Sequence, residues 1–81
     1  MRAIVQVRLK AGVLDPQGKA IESALASLGF SGVGTVRQGK LIEIDLAEDD
    51  PAAARDKVAK MAGELLANPV IETWTVELAG E

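Results

Sequence analysis

The residues best suited to bind a partner or an anion lie in one stretch, residues 13–21, with the sequence VLDPQGKAI. Asp15 and Pro16 are typical of a helix start, because an N-cap carboxylate accepts hydrogen bonds from free N–H groups and proline suits the first helical position. Gly18, in the first turn, costs the helix about 0.5–1 kcal/mol against alanine but lets another backbone or an anion approach closely. The stretch indicates either a contact surface at a helix end or an ordinary turn into a helix.

Side chains that usually perform catalysis are absent or lack a partner in this sequence. The 81 residues include no histidine and no cysteine, which removes the usual general base, the usual metal ligands and the thiol nucleophile. The serines have no basic partner, and Gly32 and Gly34 match neither the Walker spacing nor the dinucleotide fingerprint. Glu48, Asp49 and Asp50 are interpreted as a solvated helix cap. We therefore expect no catalytic residue, cofactor or metal on this chain.

Basic residues cluster in the sequence VRQGK, residues 36–40, and at Lys19 near the first helix start. They are either solubilising surface charge or a docking patch for an acidic partner. The net charge of −3 argues against nucleic acid or an anionic membrane as the main partner. The N-terminal residues are interrupted by polar side chains, unlike a secretory signal, and no stretch approaches the roughly 18 apolar residues of a membrane span. We expect a cytoplasmic protein.

Alternating polar and apolar residues, together with two Asp-Pro helix starts, predict six elements in the order βαββαβ. The predicted strands span residues 3–10, 33–38, 40–47 and 70–78, and the predicted helices span residues 16–28 and a stretch from Pro51 that stops at Pro69. Gly39 is expected to supply the positive φ of a tight turn between the second and third strands. The order predicts one domain, residues 1–81, with a ferredoxin-like α+β fold: a four-stranded antiparallel sheet with both helices on one face.

The same patterns predict which side chains face the core. Each strand directs alternate apolar residues toward the helices, and each helix carries an apolar stripe at three- and four-residue steps. The expected strand core residues are Ala3, Val5, Val7, Leu9, Ile42, Ile44, Leu46, Trp74, Val76 and Leu78. The expected helix stripes are Ile21, Ala24, Leu25 and Leu28, then Ala54, Val58, Met61, Ala62 and Leu65. The opposite sheet face is mixed polar, so it is either solvated or meets a second copy of the chain.

Four segments resemble the PurS family, the small subunit of multi-subunit phosphoribosylformylglycinamidine synthase. They are VLDPQGKAI, SLGF from Ser27, VRQGK from Val36 and LLANPVIE from Leu65. They recur in the family's order and spacing over essentially the whole chain. The resemblance implies a ferredoxin-like homodimer that acts as an adaptor between PurQ, a glutaminase, and PurL, a synthetase. It also implies that ATP and magnesium are used by the synthetase, and that this chain alone has no catalytic activity.

On this resemblance, the complex converts formylglycinamide ribonucleotide to formylglycinamidine ribonucleotide with ATP and glutamine, and the adaptor supports ammonia transfer. The motif residues are then expected to form contact surfaces: Asp15, Gln17, Gly18, Lys19, Arg37, Gly39, Lys40, Asn68 and Pro69. Two alternatives remain open at this point. One is a free-standing regulatory domain of the ACT type that binds a small molecule, and the other is a minimal enzyme acting alone.

Overall fold

The computed structural model describes residues 1–79; Gly80 and Glu81, the end of the predicted domain, lie outside the described residues. The elements are β1 Arg2–Leu9, α1 Pro16–Ser27, β2 Gly39–Asp45, α2 Pro51–Met61, a π-helical turn Ala62–Leu66, and β3 Glu72–Ala79. None of the helices in this part of the chain has the length and apolar character to cross a membrane. The α+β fold class predicted from the sequence is confirmed, and residues 1–79 form three strands where four were predicted.

Across residues 1–79, three strands form one antiparallel sheet in the order β2-β1-β3. Val5 lies opposite Ile42 on β2 and opposite Val76 on β3. Because side chains alternate along a strand, this register places Ala3, Val5 and Val7 on one face, and all three are buried. The predicted alternation of the first strand, and its central place in the sheet, determine where the core forms.

Helix α2 covers the inner face of the sheet and contacts β1 and β3. Asp50 caps it, accepting a hydrogen bond from the Ala52 N–H at 3.2 Å, and Ala54 and Val58 are fully buried. The predicted stripe is wrong at its end, because Leu65 is 82% exposed. The chain leaves α2 through a π-helical turn, in which an N–H bonds to the carbonyl five residues earlier instead of four. The extra residue rotates the later side chains about the helix axis. Leu66 packs against the core instead.

The predicted second strand is not formed: residues 33–38 have no regular structure in the described chain. Two of their N–H groups bond to carboxylates of the α1 region, Val36 to Glu22 and Gln38 to Asp15, so they are not available to a strand ladder. The predicted tight turn is also wrong, because Gly39 is the first residue of β2, paired with Arg8, and is not among the positive-φ glycines of residues 1–79. The four-stranded sheet is therefore corrected to three strands for the single chain.

Helix α1 begins at Pro16 as predicted and ends at Ser27, one residue before the predicted end, but it lies apart from the sheet. Gly29 has φ +93°, and the N–H groups of Gly29 and Phe30 bond to the carbonyls of Ala26 and Leu25, a Schellman motif. The helix makes few contacts with α2 or the strands, and Gly18 is its buried residue. The radius of gyration of 16.0 Å exceeds the roughly 12 Å expected of a compact chain of this length. The prediction that both helices lie on one face of the sheet therefore fails for α1 in the single chain.

Candidate functional site

Asp15 joins the first turn of α1 to a segment 23 residues away. Its Oδ1 accepts a hydrogen bond from the Gly18 N–H at 2.9 Å, and its Oδ2 accepts one from the Gln38 N–H at 2.6 Å. The residue is only 4% exposed. The hydrogen bond from the Gln38 N–H, followed by that from Gly18, lowers the pKa of the Asp15 carboxyl below its ordinary value of 3.8. The carboxylate is therefore held charged and occupied.

Because Gly18 has no side chain, the segment around Val36 can cross the helix at this position. A Cβ at this position would overlap the carbonyl oxygen of Val36 and lie 2.9 Å from Asp15 Oδ2. One helical turn later, Glu22 Oε2 accepts a hydrogen bond from the Val36 N–H at 3.0 Å. We call Asp15, Gly18, Glu22 and residues 36–38 the brace. The glycine that suggested a close approach in the sequence does permit one, and the approaching backbone belongs to the same chain.

Arg37 stabilises the loop that precedes α1. Its guanidinium donates hydrogen bonds to the carbonyl oxygen of Val13 at 2.7 Å and to that of Lys10 at 3.0 Å. Residues 13–21 and 36–40, two motifs well separated in the sequence, thus meet in one structural unit. The unit fixes the direction in which α1 leaves the sheet.

Gly39 and Lys40 carry the second motif into the sheet. A Cβ on Gly39 would lie 2.6 Å from the carbonyl oxygen of Val7, so the glycine permits the close approach of β1 rather than a turn. Lys40 is exposed and lies opposite Val7. On α1, Gln17 and Lys19 are also exposed, and Lys19 Nζ lies 3.6 Å from Glu22 Oε1. These polar side chains remain accessible around the brace.

Asn68 and Pro69 form a turn between the π-helical turn and β3. Asn68 Oδ1 accepts a hydrogen bond from the Val70 N–H at 3.0 Å, and Glu72 Oε1 accepts one from the Asn68 N–H at 2.7 Å. Asn68 and Pro69 are exposed, as is Val70 at 78%. Glu72, the last residue of the NPVIE string, also lines a small cleft of about 280 Å³ that includes Asp15, Gln17 and Lys40. Four of the nine predicted contact residues, Asp15, Gln17, Gly39 and Lys40, thus line this cleft, and Glu72 links it to the turn at Asn68.

Two features of the site were not predicted from the sequence: the role of Glu22 and the exposure of the apolar stripe of α1. Glu22 is part of the brace, and its position seven residues after Asp15 on one helix face was a usable signal. The apolar stripe of α1 was expected in the core, yet Leu28 is 72% exposed and the following Phe30 is 59% exposed. No local pattern distinguishes a stripe that packs on its own sheet from one that packs on another chain.

The fold and site together define a class of protein. Within residues 1–79 no three His, Cys, Asp or Glu side chains are grouped so that they could hold a metal. The motif residues instead brace a helix whose apolar stripe is exposed, and exposed apolar surface of this kind marks protein contacts. The class is a small α+β interaction module.

Comparison with known proteins identifies the family. The family model for PurS, phosphoribosylformylglycinamidine (FGAM) synthase, matches residues 2–80. The PurS subunit of Mycobacterium leprae is 48% identical over 75 residues, which cover 93% of this chain and 91% of that protein. The crystal structure of Methanocaldococcus jannaschii PurS is 39% identical, with a TM-score of 0.85 over 94% of this chain and 92% of that one. A chain in the structure of PurLQS from Thermotoga maritima is 32% identical, with a TM-score of 0.85 over 94% and 93%. The chain belongs to the PurS family, as the sequence motifs predicted.

Proposed function

We propose that this chain is the adaptor that joins the PurQ glutaminase to the PurL synthetase and supports the transfer of ammonia between them. Membership of the PurS family makes it a subunit of phosphoribosylformylglycinamidine synthase, a ligase complex. In this proposal the synthetase uses ATP and magnesium to activate formylglycinamide ribonucleotide, glutamine supplies the ammonia, and this chain binds no cofactor. Holding two enzymes in register raises the effective concentration of each for the other without any chemistry. The working place is the cytoplasm, with its partner subunits.

The observation that carries the proposed role in an assembly is the apolar surface left exposed on α1 and the residues that follow it. Ile21, Leu28 and Phe30 are 38%, 72% and 59% exposed, while the helix has little contact with its own sheet. Burial of one such side chain against a partner stabilises an assembly by about 1.5–3 kcal/mol. A helix of 12 residues is also marginal in water without packing. The helix therefore requires a protein surface that the single chain does not provide.

A second copy of the chain is the proposed partner for this helix, which gives the expected homodimer. Helix α2 packs on β1 and β3, and the inner-face side chains of β2, Ile42 and Ile44, are only half-buried. An α1 from another copy would cover them and supply the second helix of the ferredoxin-like layer. Residues 33–38 would accompany it, because the brace holds them to α1. That segment is then a candidate for the fourth strand in the dimer.

The predicted contact residues divide into two roles in this proposal. Gln17, Lys19, Asn68 and Pro69 are exposed and available to PurL, PurQ or the second copy, as is the basic residue Lys40. Arg37 is exposed as well, but its guanidinium already donates to two backbone carbonyls. The buried Asp15 and Gly18 shape the surface from beneath, and the exposed Gly39 allows β1 to approach closely. The regulatory-domain alternative is not favoured, because the matched family is a synthase subunit.

Reconstitution tests the proposal. Purified PurL and PurQ are mixed with and without this chain, and glutamine-dependent formation of the amidine product is measured. We expect turnover to depend on the chain, and the chain alone to consume neither ATP nor glutamine. Full activity of the two larger subunits without it would overturn the adaptor role. An amino-acid-dependent rise in the melting temperature of the chain alone would favour the regulatory alternative.

A charge reversal at Lys19 tests the contact surface. The side chain is 63% exposed, so Lys19→Glu should leave the fold intact and weaken assembly, with activity regained at high concentrations of the variant. Lys60→Glu, on the exposed side of α2, makes the same charge change and serves as the control. Equal half-saturating concentrations for the two variants in the turnover assay would remove Lys19 from the contact surface.

A further inference from the structure

An open cleft of about 640 Å³ lies where the C-terminal half of β1 meets the start of β2. Three basic residues line it, Arg8, Arg37 and Lys40, and its lining among the described residues includes no Asp or Glu. The whole chain has a net charge of −3. The cleft is therefore a local positive surface on an acidic protein, and such a surface attracts negatively charged partners.

Arg8 is the basic group of this cleft that is most available. Its side chain lies on the outer face of the sheet, where Nη2 donates a hydrogen bond to Gln6 Oε1 at 3.0 Å. Among the ion pairs of residues 1–79, none includes Arg8. Arg37, by contrast, already donates to two backbone carbonyls and lies near the Asp15 carboxylate. Lys40 pairs with the buried Val7, so its side chain lies on the inner face of the sheet, opposite to that of Arg8.

Apolar side chains accompany the positive charge. Leu41 lies opposite Gln6 on the outer face and is 56% exposed, and Ala11 also lines the cleft. Gly39 lies opposite Arg8 and has no side chain to cover the guanidinium stem. An occupant that matches both features has a carboxylate next to an apolar side chain, which describes a peptide segment better than a small inorganic anion.

We infer that this cleft binds an acidic segment of the synthetase or glutaminase subunit, with Arg8 pairing a carboxylate and Leu41 contacting the apolar residue beside it. The inference rests on the proposed function and adds Arg8, which the motifs did not indicate, to the contact surface. A guanidinium can hold a carboxylate through two parallel hydrogen bonds, so the contact would set orientation as well as affinity.

The affinity of the complete complex tests the role of Arg8. The dissociation constant of the chain for a mixture of PurL and PurQ is measured by titration for the wild type, Arg8→Glu and the control Lys60→Glu. We expect Arg8→Glu to weaken binding by about tenfold or more, and the control to change it less than about twofold. Circular dichroism and the melting temperature establish that each variant folds. A folded Arg8→Glu variant that binds as tightly as the wild type would overturn the inference.

Crosslinking identifies the occupant directly. The chain has no cysteine, so Ala11→Cys, at an exposed position that lines the cleft, carries one photoactivatable maleimide probe and leaves Arg8 and Leu41 in place. Lys60→Cys carries the matched control. We expect the probe at position 11 to capture an Asp- or Glu-containing peptide of PurL or PurQ in the reconstituted complex. Capture of a second copy of this chain, or of a peptide without acidic residues, would contradict the inference.

Two further measurements are needed. One distinguishes an acidic peptide from a small anion as the occupant of the cleft, and the other distinguishes failure of this inference from failure of the proposed function. Saturable binding of inorganic phosphate that depends on Arg8 in the isolated chain would assign the cleft to a small anion and overturn the inference. Failure of the wild-type chain to bind either larger subunit would count against the adaptor role. Wild-type assembly with no dependence on Arg8 would count against the cleft alone.

Discussion

Asp15 shows how one side chain serves two parts of the molecule. An N-cap needs a single carboxylate oxygen, and Oδ1 performs that task on the Gly18 N–H. The second oxygen holds the Gln38 N–H, so the helix start and a distant segment share one charge. Gly18 then allows the Val36 carbonyl to reach the helix surface. At the residue scale, the motif at residues 13–21 is therefore part of an internal brace, and the exposed residues beside it are the proposed partner contacts.

Replacement of Gly18 by alanine has two opposing effects on the free energy of unfolding, and their sum tests the brace. Helix propensity alone would stabilise the variant by up to about 1 kcal/mol. The added Cβ would overlap the Val36 carbonyl, so we expect a net loss of about 1–3 kcal/mol in the free energy of unfolding. Urea denaturation at neutral pH measures it, with Gln17→Ala, an exposed change in the same turn, expected within about 0.5 kcal/mol of wild type. A more stable Gly18→Ala variant would mean that the chain does not cross the helix here.

The pKa of Asp15 gives the brace a pH dependence. Because the pKa is lower in the folded than in the unfolded chain, the unfolded state binds more protons as the pH falls through the ordinary value of 3.8. The stabilisation is therefore present above about pH 4–5 and is lost as the pH falls through the folded pKa. We expect Asp15→Asn to be less stable than wild type at pH 7, with a smaller difference near pH 3. Denaturation at both pH values measures this, with the exposed Asp56→Asn as control; a difference that does not change with pH would contradict the assignment.

At the scale of elements, α1 and the body formed by the sheet and α2 behave differently. The body buries Val5, Val7 and Val58 between the strands and α2. Helix α1 is closed at both ends by hydrogen bonds, the Asp15 cap and the Schellman motif, yet its apolar stripe lies in solvent. Hydrogen bonds thus direct the helix, and in the proposed homodimer a second copy would pack against it.

Replacement of Leu28 by aspartate tests whether this helix packs on a second copy. The side chain is 72% exposed in the single chain, so the change removes little packing there but places a charge in the proposed interface. The loss of about 1.5–3 kcal/mol of burial would raise the dimer dissociation constant by about tenfold or more. Sedimentation equilibrium measures that constant. Ser27→Asp, the preceding exposed helix position, makes the same charge change, and an equal effect of both variants would remove Leu28 from the interface.

At the scale of the whole molecule, the fully buried part of the core is small. Its buried apolar residues are mostly alanine and valine: Ala3, Val5, Val7, Ala54, Val58, Ala62, Ala67 and Leu78. Short side chains bury little area, and domains of this size fold with modest stability. In the proposed assembly, burial of the exposed helix stripe would add to the stability of this chain.

Stability should therefore depend on protein concentration. If folding is coupled to association, dilution favours the unfolded chain by mass action, and the melting temperature falls. We expect a clear rise in melting temperature between low-micromolar and near-millimolar wild-type chain, measured by circular dichroism in cells of different path length. The Leu28→Asp variant should show a weaker dependence over the same range. A melting temperature that is constant for the wild type would indicate a monomer that is stable by itself.

The sequence by itself determined the elements that depend on near neighbours, and it determined the family. The Asp-Pro helix starts, the Gly29 cap and the alternation of Ala3, Val5 and Val7 were all predicted correctly, because caps and alternation involve residues a few positions apart. The four motif segments identified the PurS family for the same reason: each is a local string. Whether the predicted contact residues touch a partner stays a prediction.

Tertiary structure decided what depends on competition between distant groups. Residues 33–38 resemble a strand, but the N–H groups of Val36 and Gln38 bond to Glu22 and Asp15, side chains that local pattern cannot place beside them. The turn predicted at Gly39 was wrong for the same reason. The glycine instead permits the close approach of β1, a strand distant in the sequence. The position of α1 likewise follows from the brace, because hydrogen bonds to a crossing segment hold the helix where its apolar stripe has little contact with the sheet.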